Sequence, residues 1–248
     1  MPPYIENPEL AGVLSDGTFT LAMEDIGNPA ERPAGFHETA IYLMRHGPSG
    51  ELLDTIDAYS YRRLGYLSRE IRYLGTPVFE PQTSLAAAGE RFAVGRGSRP
   101  EIVLLDPDGV LRRIIRWSTP DRTVTSAELE RFRRDILARF DDAERRRRFG
   151  EPQVSDDRPV NEQFPAHAAI RFDETGGLWV QRYPRPSWPD MRWWVFASDG
   201  RFVCHTTTRS EYARQILEVG ARHMLVVERD ELNVEYLRRY EIGAPGGA

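Results

Sequence analysis

Apolar residues recur along this chain in short runs rich in Val, Ile, Leu, Phe, Tyr and Trp, separated by turns of Gly, Asp, Asn and Pro. Short runs with β-branched and aromatic enrichment predict strands on a pleated, half-buried surface rather than long helices. The clearest stretch runs from His167 to Thr206. Runs before Gly177, over Leu178–Tyr183, over Met191–Ala197 and over Arg201–Thr206 predict four antiparallel strands in sequence. The same grouping recurs in Leu10–Ile56, Thr83–Trp117 and Arg214–Ile242, the last with three runs. First-hairpin turns fall at Gly17, Gly89, Gly177 and Gly220, and third-to-fourth turns at Gly50, Gly109 and Gly200. Glycine there supplies the positive φ that tight hairpins demand.

Two stretches depart from this pattern. Residues 57–82, with four tyrosines among several arginines, read as a long connection. Within 118–165, Thr125-Ser-Ala-Glu128 has capping-box spacing, and Leu129, Phe132, Ile136, Leu137, Phe140 and Ala143 follow at three- and four-residue intervals. That predicts one amphipathic helix over 125–149, inserted between the second and third units. Residues 1–9 read as a lead-in and 243–248 as a flexible tail. Four-stranded units repeating every roughly 40–50 residues are the sequence mark of a β-propeller. The expected fold is therefore all-β, with four-stranded antiparallel blades at 10–56, 83–117, 167–206 and 214–242 and one inserted helix.

Several stretches carry a resemblance: Gly177-Leu-Trp-Val180, Trp194-Val-Phe-Ala-Ser-Asp-Gly200, Glu101-Ile-Val-Leu-Leu-Asp-Pro-Asp-Gly109, and Asp230-Glu-Leu-Asn-Val-Glu-Tyr236 with Tyr240. Through these, the chain resembles the C-terminal two-thirds of bacterial six-bladed β-propeller proteins related to the NHL-repeat group. The resemblance spans about residues 10 to 242. It implies a six-bladed ring of which about four blades are present, and an exported or periplasmic protein whose export signal lies upstream. This chain itself begins without the basic start and apolar run of a signal peptide.

Composition narrows the chemistry. Hydrophobic residues make up 40%, enough for a packed core, and the net charge of −5 gives no reason to expect nucleic acid as a partner. No run is long and apolar enough to span a membrane. Cys204 is the one cysteine, which excludes an internal disulfide and a multi-cysteine metal site. Every basic residue is arginine, so Schiff-base chemistry and a lysine-bearing P-loop are excluded.

The candidate sites are few. Asp106-Pro-Asp-Gly109 starts like a calcium loop, but Trp117 stands where a closing glutamate is needed, so it reads as a turn. No two of His37, His46, His167, His205 and His223 have metal-pair spacing. His167 and His223 fall on or near inner strands, which in a propeller line the central channel. Trp179, Trp188, Trp193 and Trp194 with Tyr183 interleave with Arg182, Arg185 and Arg192, as a stacking platform or as packing between blades. Arg145–Arg148 follows Asp141, Asp142 and Glu144 and reads as a solvated run.

The channel and loop candidates are therefore His167, Arg171, Arg182, Tyr183, Trp188 and His223, with no catalytic set, metal or cofactor expected. The leading expectation is a non-enzymatic binding or scaffold module for a protein or small-molecule partner. The alternative is a metal-assisted hydrolase or lactonase acting at the channel mouth.

Overall fold

The computed structural model describes residues 5–28, 31–32, 34–70, 72–188, 190–208, 213–230, 232 and 234–242. The predicted tail 243–248 and the first four residues of the lead-in lie outside them. The chain is mostly strand. The first meander comprises β1 (Ile5–Leu14), β2 (Phe19–Asp25), β3 (Phe36–His46) and β4 (Leu52–Ser68), with a short β5 (Tyr73–Gly75). The second comprises β6 (Thr83–Gly89), β7 (Arg91–Arg96), β8 (Glu101–Leu105) and β9 (Leu111–Arg116). The third is β10 (Ala169–Phe172), β11 (Leu178–Gln181), β12 (Met191–Phe196) and β13 (Phe202–Thr208). The last is β14 (Ala213–Val219), β15 (His223–Arg229) and β16 (Glu235–Glu241).

The meanders do not form four separate sheets, as blade spacing suggested. They make three: a nine-stranded sheet ordered β5-β4-β3-β2-β1-β6-β7-β8-β9, a four-stranded sheet and a three-stranded sheet. The first two meanders fuse because β1 pairs in parallel with β6, Gly12 facing Ala87 and Leu14 facing Gly89. Every other pairing between named strands is antiparallel. Glycine makes the seam possible. A Cβ on Gly12 would lie 1.7 Å from the Ala87 carbonyl oxygen, and its φ of +154° is one that side chains disfavour.

Three apolar cores lie between successive meanders. Leu14 and Leu43 of the first meet Ala87, Phe92, Val94 and Leu105 of the second. Ala93, Ile102 and Ile115 of the second meet Ile170, Leu178, Val180, Trp194 and Phe196 of the third. Trp179, Trp193 and Val195 of the third meet Ile216, Val219, Met224 and Val226 of the last. Successive side chains of a strand point to opposite faces. So Trp193 and Trp194, both buried, each fill a different core. A sheet covered on both faces buries both.

Strand β4 runs through 57–68, where the sequence reads as a connection. Its polar side chains hide the strand pattern, because they find partners on buried carboxylates. Arg62 pairs with Glu24 through two bonds, one at 2.9 Å, and Glu24 is only 4% exposed. Arg63 grips Glu80 at 2.7 Å, and Asn161 adds a second partner at 2.9 Å. Likewise, Ile5–Glu9 belong to β1 rather than to a lead-in.

The single helix expected over 125–149 is broken. Helix α1 spans Ser126–Leu137, capped by the Thr125 hydroxyl accepting from Glu128 N–H at 3.3 Å. Asp142 starts α2 (Ala143–Arg145) by accepting from Arg145 N–H, and a π-helical turn (Arg146–Gly150) leads into α3 (Glu151–Val154). Aspartate competes with the backbone inside a helix and favours its first position, so Asp142, five residues after the end of α1, begins the next helix. The α1 stripe, through Leu129 and Phe132, packs on Val78, Phe79, Phe164 and Tyr183.

Replacing Gly12 by Ala forces a carbonyl and a Cβ apart and should cost about 3 kcal/mol or more in urea unfolding. Gly17→Ala, at a turn with open space, should cost about 1 kcal/mol. Equal costs at the two positions would contradict the close approach at the seam.

Candidate functional site

The first strands of all four meanders contribute to one cavity of about 380 Å³. Its walls are built from small residues of β1, β6 and β10, including Ala11, Gly12, Ala86, Ala87 and Ala169, with Leu217 of β14 closing one side. Small side chains leave the space open; larger ones would fill it. The polar groups on the wall are Glu9, Tyr61, Gln82, Thr83, Ser84 and Arg171. Ser84 donates to the Ala168 carbonyl at 3.3 Å, and the Tyr61 hydroxyl donates to Gln82 at 3.3 Å.

Arg171 is the charge in this cavity that lacks a close counter-ion. Its guanidinium donates to the Leu217 carbonyl at 3.3 Å, and no carboxylate lies within 4 Å among the described residues. Burial lowers its pKa, while the more distant Glu9 opposes that shift. A desolvated guanidinium keeps its charge and offers paired donors to a planar anion.

His167 lies elsewhere. It is buried, and its ring packs on the bare face of Gly95 with the Arg96 backbone beside it. Burial pushes its pKa down to about 4, so it is neutral at pH 7. It borders a smaller cleft of about 210 Å³ with Tyr183, Glu80, Gln82 and Arg158. Burial pushes the Tyr183 hydroxyl up to about 12.

Arg182 and Trp188 meet at a third place, the loop between β11 and β12. Arg182, Arg185 and Arg192 sit 4.5, 5.1 and 4.3 Å from the Trp188 ring centre. The ring contacts the protein's own cations, so it is arranged as their support rather than as an open stacking platform. Tyr183 lines the edge of this cleft beside Arg122.

The six sequence candidates are thus dispersed. Arg171 faces the axial cavity, and Arg182, Tyr183 and Trp188 share the arginine cleft. His167 is buried between the second and third meanders. His223 lies at the β14–β15 hairpin, 3.0 Å from Glu218. Glu9, Tyr61, Gln82 and Arg122 escaped the sequence reading, the first because it sits in a segment read as a lead-in. Asp106 accepts from the backbone of Asp108 and Val110 and binds Arg112, which is turn chemistry. Arg145–Arg148 are exposed, with Arg147 paired to Glu144. Cys204 is half-buried beside the last core. Ser210 lies outside the described residues. Among the described residues, no three of His, Cys, Asp and Glu come together as a group fit to hold a metal ion, and no helix is long and apolar enough to cross a membrane.

No protein-family model and no curated protein matches this chain. Among solved structures it is similar to an apocarotenoid oxygenase variant from Synechocystis, at 10% identity and a TM-score of 0.33, over 95% of this chain and 50% of that one. An ACO/RPE65 chimera matches at 11% and 0.31, over 98% and 54%. Prolyl oligopeptidase B from Galerina marginata matches at 11% and 0.27, over 96% and 41%. The chain spans about half the length of the two oxygenase structures and less of the peptidase, and at these TM-scores the likenesses carry no functional argument.

The depressed pKa of His167 makes a pH prediction. Between about pH 4 and 6.5 the unfolded chain takes up a proton that the folded one refuses. The stability tied to its neutrality is complete above pH 6.5 and is lost as the pH falls towards 4, by about 3 kcal/mol. Unfolding of His167→Phe across this range should show a shallower acid limb than the parent; an identical limb would contradict the assignment.

Proposed function

We propose that this protein is a non-enzymatic binding module of propeller-like design, whose ligand is a small carboxylate-bearing molecule held in the axial cavity. The observation that carries this reading is Arg171, a desolvated guanidinium facing that cavity without a carboxylate partner. The first strands of the four meanders all contribute to the cavity wall, which supports a propeller-like reading. Glu9 on the same wall makes the pair of charged groups net neutral. That suits a ligand carrying an ammonium as well as a carboxylate better than a polyanion. The Ala-rich walls accept an apolar body, and Gln82, Thr83 and Ser84 supply hydrogen-bonding groups on one side. The hydrolase alternative needs a metal at the channel mouth, and the described residues assemble no donor set for one, so no step is derived through it.

Calorimetry and thermal melts against free amino acids and small monocarboxylates test this reading. At least one should bind and raise the melting temperature. Arg171→Met should weaken that binding by roughly 30-fold or more, the worth of a charge-assisted pair. Without ligand, the variant should melt within a few degrees of the parent. Binding unaffected by Arg171→Met, or no binding by any of these compounds, would refute the proposal.

A further inference from the structure

The arginine cleft lies apart from the axial cavity and shares none of its lining residues. Its loop, Tyr183-Pro-Arg-Pro-Ser-Trp188, carries two prolines that restrict its backbone. Ser187 ties it to α1 by donating from its N–H to Glu128 at 3.2 Å and from its hydroxyl at 2.6 Å. Glu128 is therefore engaged at the loop's end. The aromatic rings then fix the cations. Arg182 lies 4.5 Å from the Trp188 ring centre and 5.1 Å from that of Trp194. Arg185 lies 5.1 Å from Trp188 and 4.9 Å from Phe164. Arg192 completes the set at 4.3 Å.

Three guanidiniums held around one indole repel one another. Among the described residues none of them, nor neighbouring Arg122, has a carboxylate within 4 Å. Arg122 donates to the Ser98 and Phe164 carbonyls and to Gln163, and Arg185 donates to the Asp121 carbonyl. The guanidiniums of Arg182 and Arg192 donate no hydrogen bond within the protein among the described residues. Like charges gathered with no carboxylate in ion-pair contact, Asp121 being a more distant one that Arg185 feels, form a local positive site on a chain whose net charge is −5. The forked donors of arginine match the oxygens of a tetrahedral oxyanion, and aromatic contacts orient the forks in advance.

We propose that the arginines gathered around Trp188, beside this cleft, bind a phosphate monoester dianion through Arg182 and Arg192, with Arg185 adding charge. The cleft is shallow, with room for about 20 Å³, so most of the ligand must lie outside it. That chemistry is shared by a small phosphorylated metabolite and by a phosphorylated side chain of another protein.

The test is calorimetric titration of the intact protein with inorganic phosphate, glycerol phosphate and a phosphoserine peptide. Each is compared with chloride and acetate at matched ionic strength. Inorganic phosphate should bind to the parent, and Arg182→Gln/Arg192→Gln should weaken it at least tenfold. Tighter binding by glycerol phosphate than by the peptide would identify the small molecule as the source, and the reverse order the phosphoprotein. A melt accompanies each variant. If the double variant fails to fold, Arg192→Lys decides: it keeps the charge, loses the fork, and should still weaken phosphate several-fold. Phosphate binding no stronger than chloride in the parent, or unchanged in a folded variant, would overturn the proposal.

Discussion

The structure depends on one close approach, the backbone of Gly12 against the carbonyl of Ala87. Two strands whose meanders run away in opposite directions can pair in parallel only where nothing stands between them. Gly12 clears that space, and the pairing converts two meanders into one nine-stranded sheet. With the first seam set, the later meanders stack chiefly by apolar contact, with scattered hydrogen bonds such as Ser84 to the Ala168 carbonyl and Arg171 to the Leu217 carbonyl. Trp117, Trp194 and Phe196 fill the gap between the second and third. Trp179 and Trp193 fill the one between the third and last. Large aromatic rings suit this work because each buries much apolar area without a polar group that needs extensive satisfaction.

The same constraint makes the cavity. Strands that approach one another closely at an axis must carry small side chains, and β1 and β6 supply Ala11, Gly12, Ala86 and Ala87. Small residues leave space there, and Arg171 is the charged group on which the proposed binding rests. Its charge persists because arginine resists deprotonation even when desolvation lowers its pKa. The arginine cleft follows a different logic. There the positive groups are displayed on a loop and held by rings, at the side of the third meander rather than at the centre.

Much of the strand plan was legible in the residues, because Gly and Asp turns punctuate it and β-branched and aromatic runs fill it. Asp16, Asp106, Asp173, Asp199 and Asp230 each accept from backbone N–H groups two residues on, which is why the turns could be read locally. What stayed hidden was set by distant partners. Strand β4 is polar because Glu24 and Glu80 await its arginines across the sheet. The parallel seam depends on a lone glycine inside a strand, a signal shared by bulges and weak strands. The helix stops at Leu137 and restarts after Asp142, although the apolar spacing runs straight through the gap. For the sites, residue type pointed to Arg171, Arg182 and Trp188, but only the fold separates them into two places. Glu9 and Arg122 became visible only once the topology brought them to a wall.

The central claim is that the axial cavity receives a carboxylate on Arg171. The most direct measurement is a crystal structure of the protein grown with 4-bromobenzoate, whose aryl bromide does not alkylate the protein, collected at the bromine absorption edge. The account predicts an anomalous peak inside the cavity walled by Ala86, Ala87 and Ala169, with the carboxylate within hydrogen-bonding distance of the Arg171 guanidinium. An empty cavity at full occupancy elsewhere, or a carboxylate bound away from Arg171, would contradict it.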